Sequence, residues 1–492
     1  MSSPGPDSQW DRAQWNSIHG DSRNSDSVSV ATDADYERKW HALGGAAVLF
    51  GPSVAEDGRL YICSGRGQGT SHLHAYDPNG ALLWESAPWE GGQGLGPRAV
   101  PYAPLLDGEG NVFVGDQDYF WCFAGDGTVR WKTAFATLGA AESFASSIFT
   151  MDGAVGGVTL DGRVILLDRE NGSLAMPVMM LPEGVYPRGP VPPPGLWAGG
   201  LMDSGTAQAI YPGFFGFDYP VTNSPSVNPS NGWIYITGAG RDSGQSILYA
   251  VRIRSGKAEI AFARAFDGRC ATTTSISPNG AQVYTGNTAG RLAAYDAVKG
   301  SRLWTYDEAG PAASPTVGPD GTVYTGTNTL PDRSSTLSAL DPGSGRAIWQ
   351  RDYDELAASL LPQRSALPPY FPEGQPRAVV NSVPTITADT LWVVLIVGYR
   401  FHDPGSRVFF TQPHRAVLAG LDPADGSLRT WTAMPDSSEA AVVVARDGSI
   451  YTCHASMMSS IFWYGINPLL PESHRTPLRP VGGFTAFERI ER

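Results

Sequence analysis

Five residues of this 492-residue sequence combine a reactive side chain with a position that could support acid–base chemistry: Arg98, Tyr102, Glu142, Glu439 and His454. We expect these residues to face a central channel of the fold. Charged groups in a partly buried channel cost free energy unless they are paired with an opposite charge or take part in chemistry. If Glu142 or Glu439 is desolvated, its pKa rises and its carboxyl group can act as a general acid or base near neutral pH. The alternative is that Arg98 neutralises one of these carboxylates in a structural ion pair.

The two remaining candidates have equally simple alternatives. Tyr102 could supply a hydroxyl donor, and His454 could exchange a proton near neutral pH. A tyrosine in a strand-rich chain, or a single histidine beside Cys453, also fits a packing role.

A second set of small polar residues precedes predicted strands at similar positions, and we expect it to line the mouth of a central channel. It includes Asn223, Thr273 and Asn381. Ligand sites are concave and mostly apolar, with a few convergent polar groups. Rings of small polar residues are also an ordinary feature of such channels, so this set supports a binding site only together with other signals.

Three segments interrupt the strand pattern, and we expect them to form lid loops over the channel mouth. The first, 181–220, is rich in Gly and Pro yet holds seven aromatic residues, among them Trp197, Phe214 and Phe215. The second, 353–378, begins with a short helical pattern, DELAASLL. The third, 399–415, brings Tyr399, His402 and His414. An aromatic lid would enclose an apolar or aromatic small molecule; the alternative is a homodimer or partner interface built from the same aromatics.

Metal and nucleotide chemistry find little support in the sequence. The eight histidines are scattered, and no HExxH, phosphate loop or Ser-His-Asp order occurs. Cys63, Cys122, Cys270 and Cys453 are far apart, which favours buried thiols over a zinc site. We therefore predict no metal site and no cofactor.

Composition narrows the functional classes further. The net charge is −13 without a basic run, which disfavours nucleic-acid binding. The longest apolar run, Leu391 to Tyr399, has about half the ~20 residues that a membrane-spanning helix needs. The first twenty residues show no signal-peptide pattern, so the chain as written is predicted to be cytoplasmic; an exported, trimmed chain is the alternative.

A repeat organises the chain. Its clearest copies are AYDPNGALLW ending at Trp84, AYDAVKGSRLW ending at Trp304 and ALDPGSGRAIW ending at Trp349. Earlier in each unit, Asp-Gly or Asn-Gly precedes a short β-rich segment, as in DGRLY and DGTVY, and eight such units can be counted. A period of about 45 residues with four strands in each unit is typical of a β-propeller blade.

The repeat predicts an all-β, eight-bladed propeller of four-stranded blades. Residues 34–42, which include Trp40, precede the first unit and would supply the missing outer strand of the last blade. Closure in this way removes exposed sheet edges. The predicted organisation is an N-terminal segment at 1–33, a propeller at 34–470 with the three insertions, and a C-terminal tail at 471–492 that packs on the ring.

The Ala-x-Asp…Gly-x-x-x-Trp phrase resembles the tryptophan-docking motif of the pyrroloquinoline-quinone (PQQ) dehydrogenase superfamily. The segment WNSIHGDSRNSDS, from Trp15 to Ser27, is similar to the segment before blade 1 in PQQ-like repeat proteins. The resemblance implies an eight-bladed quinoprotein-like propeller in which each Trp packs between neighbouring blades. It covers nearly the whole chain.

Departures from that superfamily shape the functional expectation. In the alcohol dehydrogenases of the superfamily that this chain resembles, a disulfide between adjacent cysteines and a calcium ion lie beside PQQ. This sequence has no Cys-Cys pair. We therefore expect a lidded axial pocket for a small organic molecule, with cofactor-independent acid–base catalysis of the lyase, cyclase or isomerase type. The alternatives are a PQQ- and calcium-dependent dehydrogenase and a non-catalytic protein-interaction scaffold.

Overall fold

The computed structural model describes most of the chain. The described residues are 12–64, 72–88, 94–95, 102–116, 118–139, 144–159, 161–182, 224–239, 245–268, 272–287, 290–309, 314–326, 335–364, 370–402 and 409–490. Arg98, Glu142, Trp197, Phe214, Phe215 and Asn223 lie outside them, as does most of the first predicted lid.

The described strands form eight antiparallel sheets, one for each predicted blade, so the predicted fold is confirmed. Neighbouring innermost strands contact one another around the ring. From the inside outwards, blade 1 consists of β2 (Ser53–Val54), β3 (Leu60–Cys63), β4 (Leu73–Tyr76) and β5 (Leu82–Glu85), and blade 2 consists of β6 (Leu105–Leu106), β7 (Val112–Gly115), β8 (Tyr119–Phe123) and β9 (Val129–Ala134). Blade 3 consists of β10 (Phe144–Phe149), β11 (Val155–Thr159), β12 (Arg163–Leu167) and β13 (Met179–Met180). Blade 4 consists of β14 (Ser226–Val227), β15 (Ile234–Ala239), β16 (Gln245–Arg254) and β17 (Lys257–Asp267).

The second half of the ring follows the same plan, with one elaborated blade. Blade 7 has a fifth strand, because its inner edge is split into two pieces that both pair with the next strand. Blade 5 consists of β18 (Ser275–Ile276), β19 (Gln282–Gly286), β20 (Leu292–Asp296) and β21 (Arg302–Tyr306). Blade 6 consists of β22 (Thr316–Val317), β23 (Val323–Gly326), β24 (Leu337–Leu340) and β25 (Ala347–Arg351). Blade 7 consists of β26 (Pro376–Val380), β27 (Thr385–Ile386), β28 (Leu391–His402), β29 (Phe409–Leu421) and β30 (Leu428–Met434).

Blade 8 is assembled from both ends of the chain. Its strands are β31 (Val443–Val444), β32 (Ile450–Cys453), β33 (Phe484–Arg489) and β1 (Tyr36–Ala42). The N-terminal strand is the outermost one, as predicted. The strand at Phe484–Arg489 lies within the segment that the sequence assigned to a tail, so the ring extends to Arg489 and not only to residue 470. The reason is that β33 follows a long connection and lacks the Ala-x-Asp…Gly-x-x-x-Trp phrase that marks the third strand in the clearest repeats.

Short helices occur in the connections. They are the 3-10 helices Phe135–Leu138, Asn467–Leu469 and Glu472–His474, the α-helices α1 (Asp354–Leu360) and α2 (Met457–Ser460), and the π-helix Ile461–Ile466. Helix α1 coincides with the predicted DELAASLL pattern. No helix among the described residues is both long and apolar enough to cross a membrane.

The repeat tryptophans join neighbouring blades. Trp304 of blade 5 donates its indole N–H to the carbonyl oxygen of Pro342 in blade 6, at 2.9 Å, and covers Gly345 there. A Cβ at Gly345 would lie 2.4 Å from the Trp304 ring, and the glycine has a φ of +68°, so the turn needs glycine for two reasons. Equivalent indole bonds start from Trp40, Trp84, Trp131 and Trp349.

Three junctions lack this contact. In blade 4 the ring of Phe262 takes the place of the indole and covers Gly300 of blade 5. Blade 3 has Met176 where the repeat has Trp, and Gly256 in the next blade accordingly has no atom within 4 Å of a Cβ built on it. Trp431 of blade 7 is 40% exposed. Its neighbour, blade 8, has chain termini where the other blades have a turn, so there is no turn for Trp431 to cover.

The N-terminal segment occupies the centre of the ring. Residues 14–30, here called the axial segment, form backbone hydrogen bonds with the inner strands of six blades. In all six the amide of the second strand residue donates to the segment: Val54 to Trp15, Leu106 to Asn16, Val227 to Ser22, Ile276 to Arg23, Val317 to Ser25 and Ile386 to Asp26. The same backbone bond thus recurs from blade to blade along the segment. Through these bonds the segment connects the inner strands of the six blades.

Candidate functional site

Glu439 is the predicted site residue with the most unusual surroundings. It lies four residues before β31, at the junction between blades 7 and 8. Although the side chain is partly exposed, both carboxylate oxygens are shielded from solvent and have no hydrogen-bond partner in the described part of the chain. Burial, followed by the negative charge of Asp436, raises the pKa of Glu439 to about 7.

Nearby groups offset only part of this effect. The Asn381 amide and the backbone N–H groups of Glu439 and Met458 approach the carboxylate and favour its charged form. None of them makes a hydrogen bond with it, and Asn381 instead donates its Nδ2–H to the Ser438 carbonyl oxygen at 2.9 Å. Asn381 therefore fixes the backbone beside Glu439 across the blade junction and leaves the carboxyl group available.

Asp436 has the opposite environment. Its carboxylate accepts hydrogen bonds from the hydroxyls of Ser456 and Ser459 and from the backbone N–H groups of Val481 and Gly482. Ser459 lies in helix α2, Ser456 directly precedes that helix, and Val481 and Gly482 lie in the loop before β33. Asp436 therefore anchors the long blade 8 connection, and its negative charge is held close to Glu439.

His454 is buried in the seam where the chain termini meet. Its Nε2 lies 2.8 Å from Thr485 Oγ1, its Nδ1 lies 3.3 Å from the Ser437 carbonyl oxygen, and Thr485 Oγ1 is 3.0 Å from His41 Nδ1. A carbonyl oxygen only accepts, so His454 carries its proton on Nδ1 and accepts from Thr485. Burial lowers the pKa of His454 to about 4. A catalytic role for His454 stays a prediction. The contacts observed here stabilise the seam between the two ends of the chain.

Tyr102 and Thr273 are placed apart from this junction. The Tyr102 ring stacks on Phe50 with ring centres 5.3 Å apart, and burial raises its pKa to about 12. Thr273 is buried just before β18, and its hydroxyl has no partner among the residues described. Neither residue has a described contact with Glu439.

The first hydroxyl of several inner strands has a structural role that the sequence did not reveal. Ser275 donates to the carbonyl oxygen of Pro315 in the next blade at 2.7 Å, and Thr316 donates to that of Pro384 at 2.6 Å. Ser53 makes the same link to Pro104. These bonds join adjacent blades, so these three hydroxyls serve the fold.

The third predicted insertion differs from the expected loop. Most of 399–415 belongs to β28 and β29, which pair as far as His402 and Phe409. Tyr399, Phe401 and Phe410 are buried in an apolar cluster with the blade 8 connection, a partner that the sequence did not indicate. The cluster contains Phe371, Ile396, Tyr399, Phe401, Phe410, Met458, Phe462 and Leu470.

The lid histidines are at the edge of this cluster. His402 has its backbone N–H bonded to the Tyr370 carbonyl oxygen at 2.6 Å. His414 packs edge-on against Tyr399 with ring centres 5.1 Å apart. Burial, with the positive charges of Arg364 and Arg415, lowers the pKa of His414 to about 3, so the imidazole is neutral at neutral pH.

The donor set for calcium beside a quinone is not assembled in the described residues. Calcium takes six to eight oxygen ligands. No three acidic, histidine or cysteine side chains come together there as a metal site, and the Asp436 oxygens are already bonded to serine and backbone donors. Cys63, Cys122 and Cys453 are buried and unpaired, while Cys270 lies outside the described residues.

Comparison with known proteins shows the family of the chain. The sequence profile of the PQQ-like repeat family PQQ_2, described as outer membrane protein assembly factor BamB, matches residues 24–176 and 217–358. The chain belongs to this family. The PQQ_2 match includes the axial segment from residue 24 and blades 1 to 6, whereas Glu439 lies beyond it. A comparison with curated proteins gave no match.

Solved structures with the same architecture include three quinoprotein enzymes. Quinohemoprotein alcohol dehydrogenase from Comamonas testosteroni is 13% identical, with a TM-score of 0.58 over 97% of this chain and 81% of that one. Quinohemoprotein alcohol dehydrogenase ADHIIG from Pseudomonas putida HK5 is 12% identical, with a TM-score of 0.57 over 97% and 80%. A europium-containing methanol dehydrogenase is 13% identical, with a TM-score of 0.56 over 97% and 98%. At 12–13% identity, the similarity to these structures shows only that this chain has the same fold.

Proposed function

We propose that this PQQ_2 propeller binds a small organic molecule at the junction of blades 7 and 8 and uses Glu439 as a general acid or base. The observation that carries the proposal is the pair of Glu439 oxygens that are shielded from solvent and have no hydrogen-bond partner among the described residues. Carboxyl groups in such surroundings are typical of catalytic sites.

The electrostatics fit this role. A pKa of about 7 lets the carboxyl group hold or release a proton at neutral pH, which is the condition for efficient general acid–base catalysis. Asp436 sustains the shift because its own bonds keep its negative charge in place. Asn381 holds the backbone at Ser438, so the carboxyl group is presented from a fixed position.

The reaction class follows from these groups. Glu439 would take a proton from carbon or oxygen of the ligand and return it elsewhere, as in a lyase, cyclase or isomerase. This chemistry balances without an electron acceptor. The apolar cluster beside Met458 favours an apolar or aromatic ligand over a strongly hydrated one.

The test compares wild type with Glu439→Gln in a metabolite extract followed by mass spectrometry. We expect wild type to convert at least one compound, and the variant to bind that compound without converting it. Glu37→Gln is the matched control, because Glu37 is an exposed carboxylate on the outer strand of the same blade. Equal conversion by the Glu439 variant would remove the residue from the mechanism.

The dehydrogenase alternative has its own measurement. Titration with PQQ and calcium should leave the quinone spectrum unchanged if our proposal holds. Stoichiometric binding of the quinone, with alcohol-dependent reduction, would replace the acid–base proposal by an oxidoreductase function.

A further inference from the structure

Arg364 is a cationic side chain whose guanidinium is partly buried without an acidic partner among the residues that the structure describes. It follows helix α1 and is partly exposed, with its guanidinium carbon 4.0 Å from the centre of the Tyr399 ring. Nη2 lies 2.9 Å from His414 Nε2, while Nη1 is shielded from solvent and has no hydrogen-bond partner in the part of the chain described. Buried cations in proteins are normally paired with carboxylates.

Two acidic groups of the same insertion, Asp354 and Glu373, are paired with other arginines. Arg377 Nη1 lies 2.6 Å from Asp354, and Arg400 Nη1 lies 2.8 Å from Glu373. Glu373 also pairs with Arg377. The five residues after Arg364, SALPP, contain no acid. Arg364 is therefore the guanidinium of this insertion that lacks an internal counter-ion among the described residues.

Its contact with His414 is also incomplete. His414 Nε2 lies 2.9 Å from Arg364 Nη2 and 3.0 Å from Gln412 Oε1. One imidazole nitrogen either accepts from the guanidinium or donates to the amide oxygen, and it cannot do both. If His414 donates to Gln412, the described residues leave both terminal nitrogens of Arg364 without an acceptor.

We propose that Arg364 binds the carboxylate of a small organic acid beside Tyr399 and His414. The two terminal nitrogens match the two oxygens of a carboxylate. A bound carboxylate would accept from Nη1 and Nη2, and His414 Nε2 would then donate to Gln412, so each of these polar groups would be satisfied. The Tyr399 ring is held by the bond from its hydroxyl to the Pro362 carbonyl oxygen, which keeps one face of the guanidinium covered.

The surrounding field favours an anion. The charges that act on His414 are those of Arg364 and Arg415, both positive, and they lower its pKa together with burial. A flat apolar wall beside a guanidinium favours an organic acid over a fully hydrated inorganic anion.

Calorimetry with sodium benzoate at low salt tests the proposal, with benzamide as the neutral analogue and inorganic phosphate as the competing anion class. Wild type should bind benzoate saturably and benzamide not at all. Arg364→Met should weaken benzoate binding by about tenfold or more, and Arg364→Lys by an intermediate factor, because a bidentate contact is lost. Arg415→Met is the control for charge, because Arg415 is exposed and close to the same histidine, and it should change affinity less than about threefold.

Each outcome decides the proposal. Unchanged benzoate binding by folded Arg364→Met, or no saturable binding by wild type, would overturn it; tighter binding of phosphate than of benzoate would overturn the carboxylate assignment. The His414 imidazole NMR signals should move on addition of benzoate to wild type and stay fixed in Arg364→Met. Benzoate binding should survive Glu439→Gln, which separates this site from the proposed acid–base site.

Discussion

The junctions between blades 5, 6 and 7 and the junction between blades 7 and 8 use the same repeat differently. At the former, Trp304 and Trp349 cover the next blade's turn, and the hydroxyl of Thr316 is bonded across the junction. At the latter, Trp431 is exposed and Thr385, the equivalent of Thr316, is buried without a partner for its hydroxyl in the described structure. The chain termini, not the repeat contacts, close the last junction.

The difference explains where polar groups remain available. Tyr36 packs edge-on against Trp392 with ring centres 5.1 Å apart and belongs to the apolar cluster that holds blades 7 and 8 together. Because that cluster supplies the cohesion, Glu439 can remain unbonded there.

The largest expected effect separates the two junction types. Trp304→Ala should lower the free energy of unfolding by about 4 kcal/mol, because it removes a buried indole and its hydrogen bond. Trp431→Ala should cost less than about 1 kcal/mol, because the side chain is exposed. Urea unfolding of both variants measures the difference, and equal losses would show that Trp431 carries a contact that our account omits.

The turn glycines sharpen the same comparison. Gly345→Ala should destabilise by about 3 kcal/mol, because the new Cβ meets the Trp304 ring and the backbone has positive φ. Gly256→Ala has a similar φ and open space, so about 1 kcal/mol is expected from the backbone alone. Thermal unfolding checks this prediction; a Gly256 variant as unstable as the Gly345 variant would contradict it.

Glu439 should make stability depend on pH. Its pKa is raised in the folded state, so the native chain binds the proton more tightly and loses stability as pH rises from about 4.5 to about 7. Glu439→Gln should therefore be more stable than wild type above pH 7 by about 2 kcal/mol, a value reduced for partial exposure, and the gain should fade towards pH 4.5.

The smallest effect concerns the inner-strand hydroxyls. Thr316→Val should cost about 1 kcal/mol, because the Pro384 carbonyl loses its donor. Thr385→Val should be neutral or slightly stabilising, because its hydroxyl is buried without a described partner. If both variants lose stability equally, the two positions are not distinguished by bonding.

Much of the ring could be read from the sequence because its signals are local. Asp-Gly turns, β-rich strands and the Trp phrase recur within one unit, so Trp40 was placed correctly even though it closes the ring across the whole chain. The same reasoning placed Glu439 before an inner strand, and its burial follows from that position.

The rest depended on contacts between distant segments. Nothing local marks Phe484–Arg489 as a blade strand, since its partners are at the other end of the chain. The backbone bonds of the axial segment carry no side-chain signature. The third insertion was misread as a loop because its aromatic residues find their partners in the blade 8 connection.

The most direct test of the central claim is the pKa of Glu439, measured by carbon-13 NMR of its carboxyl group and assigned by its loss in Glu439→Gln. The account predicts a midpoint of about 7. A midpoint at the ordinary glutamate value of about 4.3 would show a solvated or paired carboxylate and would contradict both the site and its proposed role.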